Sequence, residues 1–106
     1  MSPVALAKGD RVELFSYGWQ AILFIWMFMY VYILKSLAFQ DRIYIWLAED
    51  VDERLKEHNM GKSYHTRKYK PWIVQVKIWF GDKNKAAKFD WYLKTGSGYA
   101  FRTKHF

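Results

Sequence analysis

The run from Ala21 to Leu34, AILFIWMFMYVYIL, is fourteen residues long and carries no charged side chain. A membrane-spanning helix needs ~20 predominantly apolar residues. The run approaches that length only by extending back to Tyr17 through Gly18 and Gln20, so it sits at the short limit. A secretory signal fits poorly. The run is rich in Trp, Tyr and Phe, the acids Asp10 and Glu13 precede it, and no small-residue cleavage site follows. The expected compartment is therefore cytoplasmic. The second half of the run, Tyr30 to Leu34, is β-branched, aromatic or apolar throughout and stops at Lys35-Ser36, which predicts a strand.

A turn over Ala38 to Asp41 and a second β-prone run, Arg42 to Leu47, make the first two strands a hairpin. Asp50, followed three residues later by Glu53, is an Asp variant of the capping box. It opens a predicted helix from about Val51 to His58, closed by Asn59-Met60-Gly61. Lys62 to Lys70 reads as a loop ending at Pro71. Trp72 to Phe80 alternates as a long strand, with Trp72, Val74, Val76, Ile78 and Phe80 on one face. After Gly81-Asp82, Ala86, Phe89 and Leu93 recur at helical spacing, and Gly98 to Phe106 can form a short last helix. The expected fold is α+β: a three-stranded antiparallel sheet flanked by helices, in the order β-β-α-β-α-α.

The length, 106 residues, gives one domain. Residues 1–26 are expected to be an apolar extension, either helical or upstream of the native start, and residues 27–106 the folded domain. The absence of cysteine removes thiolate metal sites, disulfides and a cysteine nucleophile. The formal charge is +7, and the stretch from Met60 to Phe106 holds eleven Lys or Arg against two Asp. Such a distribution expects a polyanion, either nucleic acid or an anionic membrane. The loop residues Lys62, Tyr64, His65, Arg67, Lys68, Tyr69 and Lys70 interleave cations with aromatics, a pattern in which charge meets phosphate and rings stack on bases.

With these elements in place, the chain from about Met29 to its C-terminus resembles the small stand-alone GIY-YIG endonuclease domains. Tyr32 stands at the first motif's tyrosine and Tyr44 at the second's. In DVDERLKEHN (50–59), Arg54 stands at the catalytic arginine and His58 at the motif histidine, followed by Asn59. Asp90 stands where the family has a metal-binding glutamate, and Trp46 where the second motif ends in glycine.

The resemblance implies a DNA endonuclease acting on branched or damaged DNA, in a repair setting. It implies one divalent cation, Mg²⁺ or Mn²⁺, held by Asp90, and no small-molecule cofactor. Arg54 would stabilise charge on the phosphate, Tyr32 or Tyr44 would orient or deprotonate the attacking water, and His58 would relay a proton. Taken singly, each residue also has a structural reading: strand aromatics for the tyrosines, an ion pair with Asp50 or Glu57 for Arg54, a helix C-terminal position for His58, and a lysine partner for Asp90. Two readings from other classes stand beside the nuclease. One is a catalytically weak or inactive nucleic-acid-binding module. The other is a basic membrane-associated protein anchored through Tyr17 to Leu34.

Overall fold

The computed structural model describes residues 27–106. The extension over residues 1–26, with its helical and membrane-contact readings, lies outside the described residues. Among those described, no helix is long and apolar enough to cross a membrane.

The sheet has three antiparallel strands, β1 (Met29–Ser36), β2 (Ile43–Ala48) and β3 (Trp72–Phe80), in the spatial order β2-β1-β3. The predicted α+β order holds, with helices α1 (Val51–Asn59), α2 (Lys83–Leu93) and α3 (Gly96–His105) and a 3₁₀ turn at Arg67–Tyr69. Strand β1 lies in the middle, which explains why its sequence carries no charge before Lys35: it is covered on both faces, as near-continuous apolar strands are. Tyr30, Tyr32 and Leu34 pack with Val51, Ala48 and Trp72 on the α1 face. Val31 and Ile33 pack with Ile45, Ala86 and Leu93 on the α2–α3 face.

The two faces exchange within β3. Ile33 pairs with Val76 and Leu34 with Val74, so Gln75 is an extra residue in the ladder, a β-bulge. Before the bulge, Trp72 and Val74 belong to the α1 side; beyond it, Val76 and Phe80 belong to the α2–α3 side. The single face expected for Trp72 to Phe80 is therefore split in two. One added residue shifts a period-two pattern to the opposite side of the sheet.

Each of these helices starts on a side-chain cap, of which the sequence predicted the first, and the last helix begins at Gly96 rather than Gly98. Asp50 accepts from Glu53 N at 3.0 Å, Asp82 from Asn84 N at 2.8 Å, and Thr95 from Gly98 N at 3.1 Å. Gly61, at φ +75°, takes the left-handed conformation just past α1, where a side chain would be strained. Gly98 packs the start of α3 against the backbone at the end of α2. A Cβ there would overlap the Tyr92 carbonyl and stand 2.6 Å from Leu93 Cα.

Candidate active site

Strand alternation and helix spacing bring four side chains together on the α1 face. Tyr32 and Tyr44 point to that face from adjacent strands, with ring centroids 6.4 Å apart. His58 is four residues on from Arg54, so both lie on one side of α1. The Tyr32 hydroxyl is 3.3 Å from His58 Nε2, and the His58 ring meets Tyr44 edge-on at 4.8 Å. Tyr32 is fully buried and His58 is 1% exposed, while Tyr44 is half-buried.

The protonation pattern follows from this enclosure. Burial pushes the Tyr32 hydroxyl up from the usual phenol range, opposed by the Arg54 guanidinium. The interaction with Tyr32, reinforced by Glu57, holds the Arg54 pKa above its ordinary value against burial. His58 is held down, first by burial and then by the Arg54 charge. It is therefore a neutral imidazole at neutral pH. Arg54 can only donate, so it fits the Tyr32 oxygen as acceptor and leaves the Tyr32 proton for His58 Nε2. The other imidazole nitrogen, Nδ1, then carries hydrogen and donates to Thr66 Oγ1 at 2.7 Å.

Thr66 has no sequence signal; it lies in the segment read as a cationic loop, yet it is buried. It is held there because Trp72 Nε1 donates to its carbonyl at 2.9 Å. Trp72 is fixed in turn by Asn59, which accepts from Trp72 N at 2.6 Å and donates to Trp72 O at 3.0 Å. The Asn beside the motif His thus ties the end of α1 to the start of β3. Only the fold brings Ser63–Lys70 back over the helix, so local pattern could not find this contact.

Arg54 also donates to Glu57 at 3.0 Å, so its intrahelical ion pair is present. Its side chain is nonetheless about two-fifths exposed, and with Glu57, His58, Lys62 and Ser63 it lines a small hollow of about 80 Å³. An oxyanion could reach the guanidinium from that side.

Asp90 is on α2, which packs against the opposite face from α1. Its link to the four-residue cluster runs around the edge strand β2 through Lys94 and Trp46 to Tyr44, whose pKa is raised by burial, lowered by Arg54 and raised again by the Asp90 charge. One carboxylate oxygen accepts from Lys94 at 3.3 Å. The other, Oδ1, is buried with no hydrogen-bond partner among the described residues. Lys94 in turn sits 4.2 Å from the ring centroid of Trp46, whose ring is 6.4 Å from that of Tyr44.

Among the described residues, no three His, Asp or Glu side chains form a metal cage. A single carboxylate with an orphaned buried oxygen still suits a hard cation, because Mg²⁺ keeps several waters and takes one or two carboxylates plus phosphate oxygens. The residues at Asp90 therefore fit such an ion, with the Lys94 ammonium as its competitor.

The loop residues separate. Lys62 borders the Arg54 hollow, and His65 lines a groove with Tyr44 and Trp46. Tyr64 is 67% exposed, with the Arg67 guanidinium over its ring at 4.9 Å. Lys68 and Lys70 are exposed. Tyr69 instead packs on the core, where Phe39 meets it edge-on at 5.3 Å, because the 3₁₀ turn directs it inward.

Comparison with known proteins gives one match. The family model described as the GIY-YIG catalytic domain matches residues 28–101. No curated protein and no solved structure matches the chain.

Proposed function

Because the chain belongs to the GIY-YIG family, a family of nucleases, we propose that it is a divalent-metal-dependent endonuclease hydrolysing DNA phosphodiester bonds, with branched or damaged duplex as its substrate. The observation that carries this reading is the buried Tyr32 hydroxyl 3.3 Å from His58 Nε2, with the Arg54 charge lowering the phenol's pKa against burial. A neutral imidazole within hydrogen-bonding reach can take the phenol's proton, and a nearby guanidinium favours the phenolate left behind.

In this reading Tyr44, the half-buried tyrosine, orients the attacking water. The Tyr32 hydroxyl gives its own proton to His58 Nε2, which is free to receive it because burial keeps the imidazole neutral. The tyrosine pair takes in exchange the proton that leaves the water, so that each O–H bond broken is matched by a bond formed. Thr66 holds the ring by its other nitrogen, so that Nε2 faces Tyr32. Arg54 supplies donors to the phosphate oxygen on which charge grows. Asp90 would hold the cation, which supplies Lewis-acid stabilisation of the phosphoryl oxygens. Lys62, Tyr64, His65, Arg67, Lys68 and Lys70 supply contacts to the DNA backbone, without a base-reading element.

A cleavage assay on linear, nicked and branched DNA with Mg²⁺ or Mn²⁺ tests the reading, using wild type and Asp90→Ala. Cleavage by wild type that is lost in Asp90→Ala supports it. Binding without cleavage by the folded wild type on every substrate would replace it with the nucleic-acid-binding module, the reading that the Lys94–Asp90 ion pair favours.

A further inference from the structure

At the edge of the sheet, Tyr44, Trp46, His65, Lys94 and Arg102 line an open groove of about 580 Å³. Its wall is an indole left 46% exposed on the edge strand, at the position where the family motif has a glycine. Its rim carries two cations from different helices: Lys94, just past the end of α2, and Arg102 on α3. Its floor includes Tyr44, the residue assigned above to the attacking water. Lys94 bonds Asp90 and rests on one face of the Trp46 ring.

We propose that this groove is a subsite for one unpaired nucleotide of a DNA strand. The base stacks on the face of Trp46 that Lys94 does not cover, and the adjoining phosphates meet Lys94 and Arg102. The proposal rests on the nuclease reading and narrows it. A wide ring flanked by cations gives favourable contact to any base, since every base has a π-face. A base inside a duplex is already stacked on its neighbours and cannot offer that face to an indole on the protein surface. The subsite therefore selects DNA that presents an unpaired nucleotide beside the scissile phosphate, and it does so without reading sequence. Glycine at position 46 would leave the groove without its stacking wall, so the side chain that departs from the family motif is the one that creates the selection.

The test is a binding measurement in the presence of a chelator, so that no strand is cut. Fluorescence anisotropy compares an oligothymidylate of about ten nucleotides with a strand of equal length and charge built of abasic units. The wild type is expected to bind the thymidylate roughly tenfold more tightly than the abasic strand. Trp46→Ala is expected to abolish that ratio while keeping the affinity for the abasic strand, and Trp46→Phe to retain most of it. Lys94→Ala is expected to weaken both strands alike. Equal affinity of the wild type for the two strands, or a preference that survives Trp46→Ala, overturns the subsite and leaves the nuclease reading standing. No binding to either strand or to duplex overturns both.

Discussion

The Tyr32 hydroxyl lies 3.3 Å from His58 Nε2 although 26 residues separate them in the chain. The pairing depends on three separate pieces of local chemistry. The sheet register puts Tyr32 on the α1 face, the Asp50 cap fixes where α1 begins, and Thr66 sets the imidazole's orientation. Two buried polar groups satisfy one another here, and the same bond aligns a proton donor with a neutral acceptor. Structure and chemistry therefore make the same demand on these residues.

The lowered pKa of His58 fixes the sign of two pH effects. An unfolded imidazole takes its proton near pH ~6.5, whereas the folded one resists until lower pH. The stability supplied by neutral His58 is thus fully present above about pH 6.5 and is lost as pH falls from there through the folded value. Melting temperature should decline over that range in wild type and decline less in His58→Gln. The acid limb of kcat/KM should fall below about pH 6.5. An acid limb above that value would show that His58 is not the acceptor.

Asp90 Oδ1 is buried with no hydrogen-bond partner among the described residues, so a bound cation would relieve it. Added Mn²⁺ should raise the melting temperature of wild type, by mass action on the folded state, and leave Asp90→Ala unchanged. Lys94→Ala removes the competing ammonium and should make the shift larger at equal Mn²⁺. A shift of the same size in wild type and Asp90→Ala would place the cation elsewhere.

Gly98→Ala should be among the most damaging small substitutions. Its Cβ would overlap the Tyr92 carbonyl, a backbone group that cannot rotate away. A loss of about 3 kcal/mol, at the upper end of the usual overpacking range, is expected in urea denaturation. Gly96→Ala is the control, because nothing lies within 4 Å of a Cβ there. Equal effects of the two changes would contradict the packing of α3 on α2.

Much of this architecture was legible in the sequence, and the parts that were not share a cause. Asp50 with Glu53 three residues on is a cap, and Ala86, Phe89 and Leu93 repeat at helical spacing; each is a local signal that the fold obeys. The bulge at Gln75 left no local trace, because an alternating pattern reads the same with or without one extra residue in the ladder. Thr66 was hidden in a polar loop and acquires its role only when Trp72 and Asn59 fold that loop over α1. Lys94 read as one of several solvated lysines near Asp90. Its contact with Trp46 depends on how α2 meets the edge of β2, a long-range relationship that no window of sequence contains.

The central claim, that Tyr32 and His58 form a proton-transfer pair in a metal-dependent nuclease, is tested most directly by Tyr32→Phe, which removes one oxygen and keeps the ring. Single-turnover cleavage of branched DNA with Mn²⁺ is measured beside the stability of the same samples. The expected result is cleavage at least ~100-fold slower than wild type, with stability within about 1.5 kcal/mol of it, the scale of one hydrogen bond. A folded Tyr32→Phe variant that cleaves at the wild-type rate would contradict the claim.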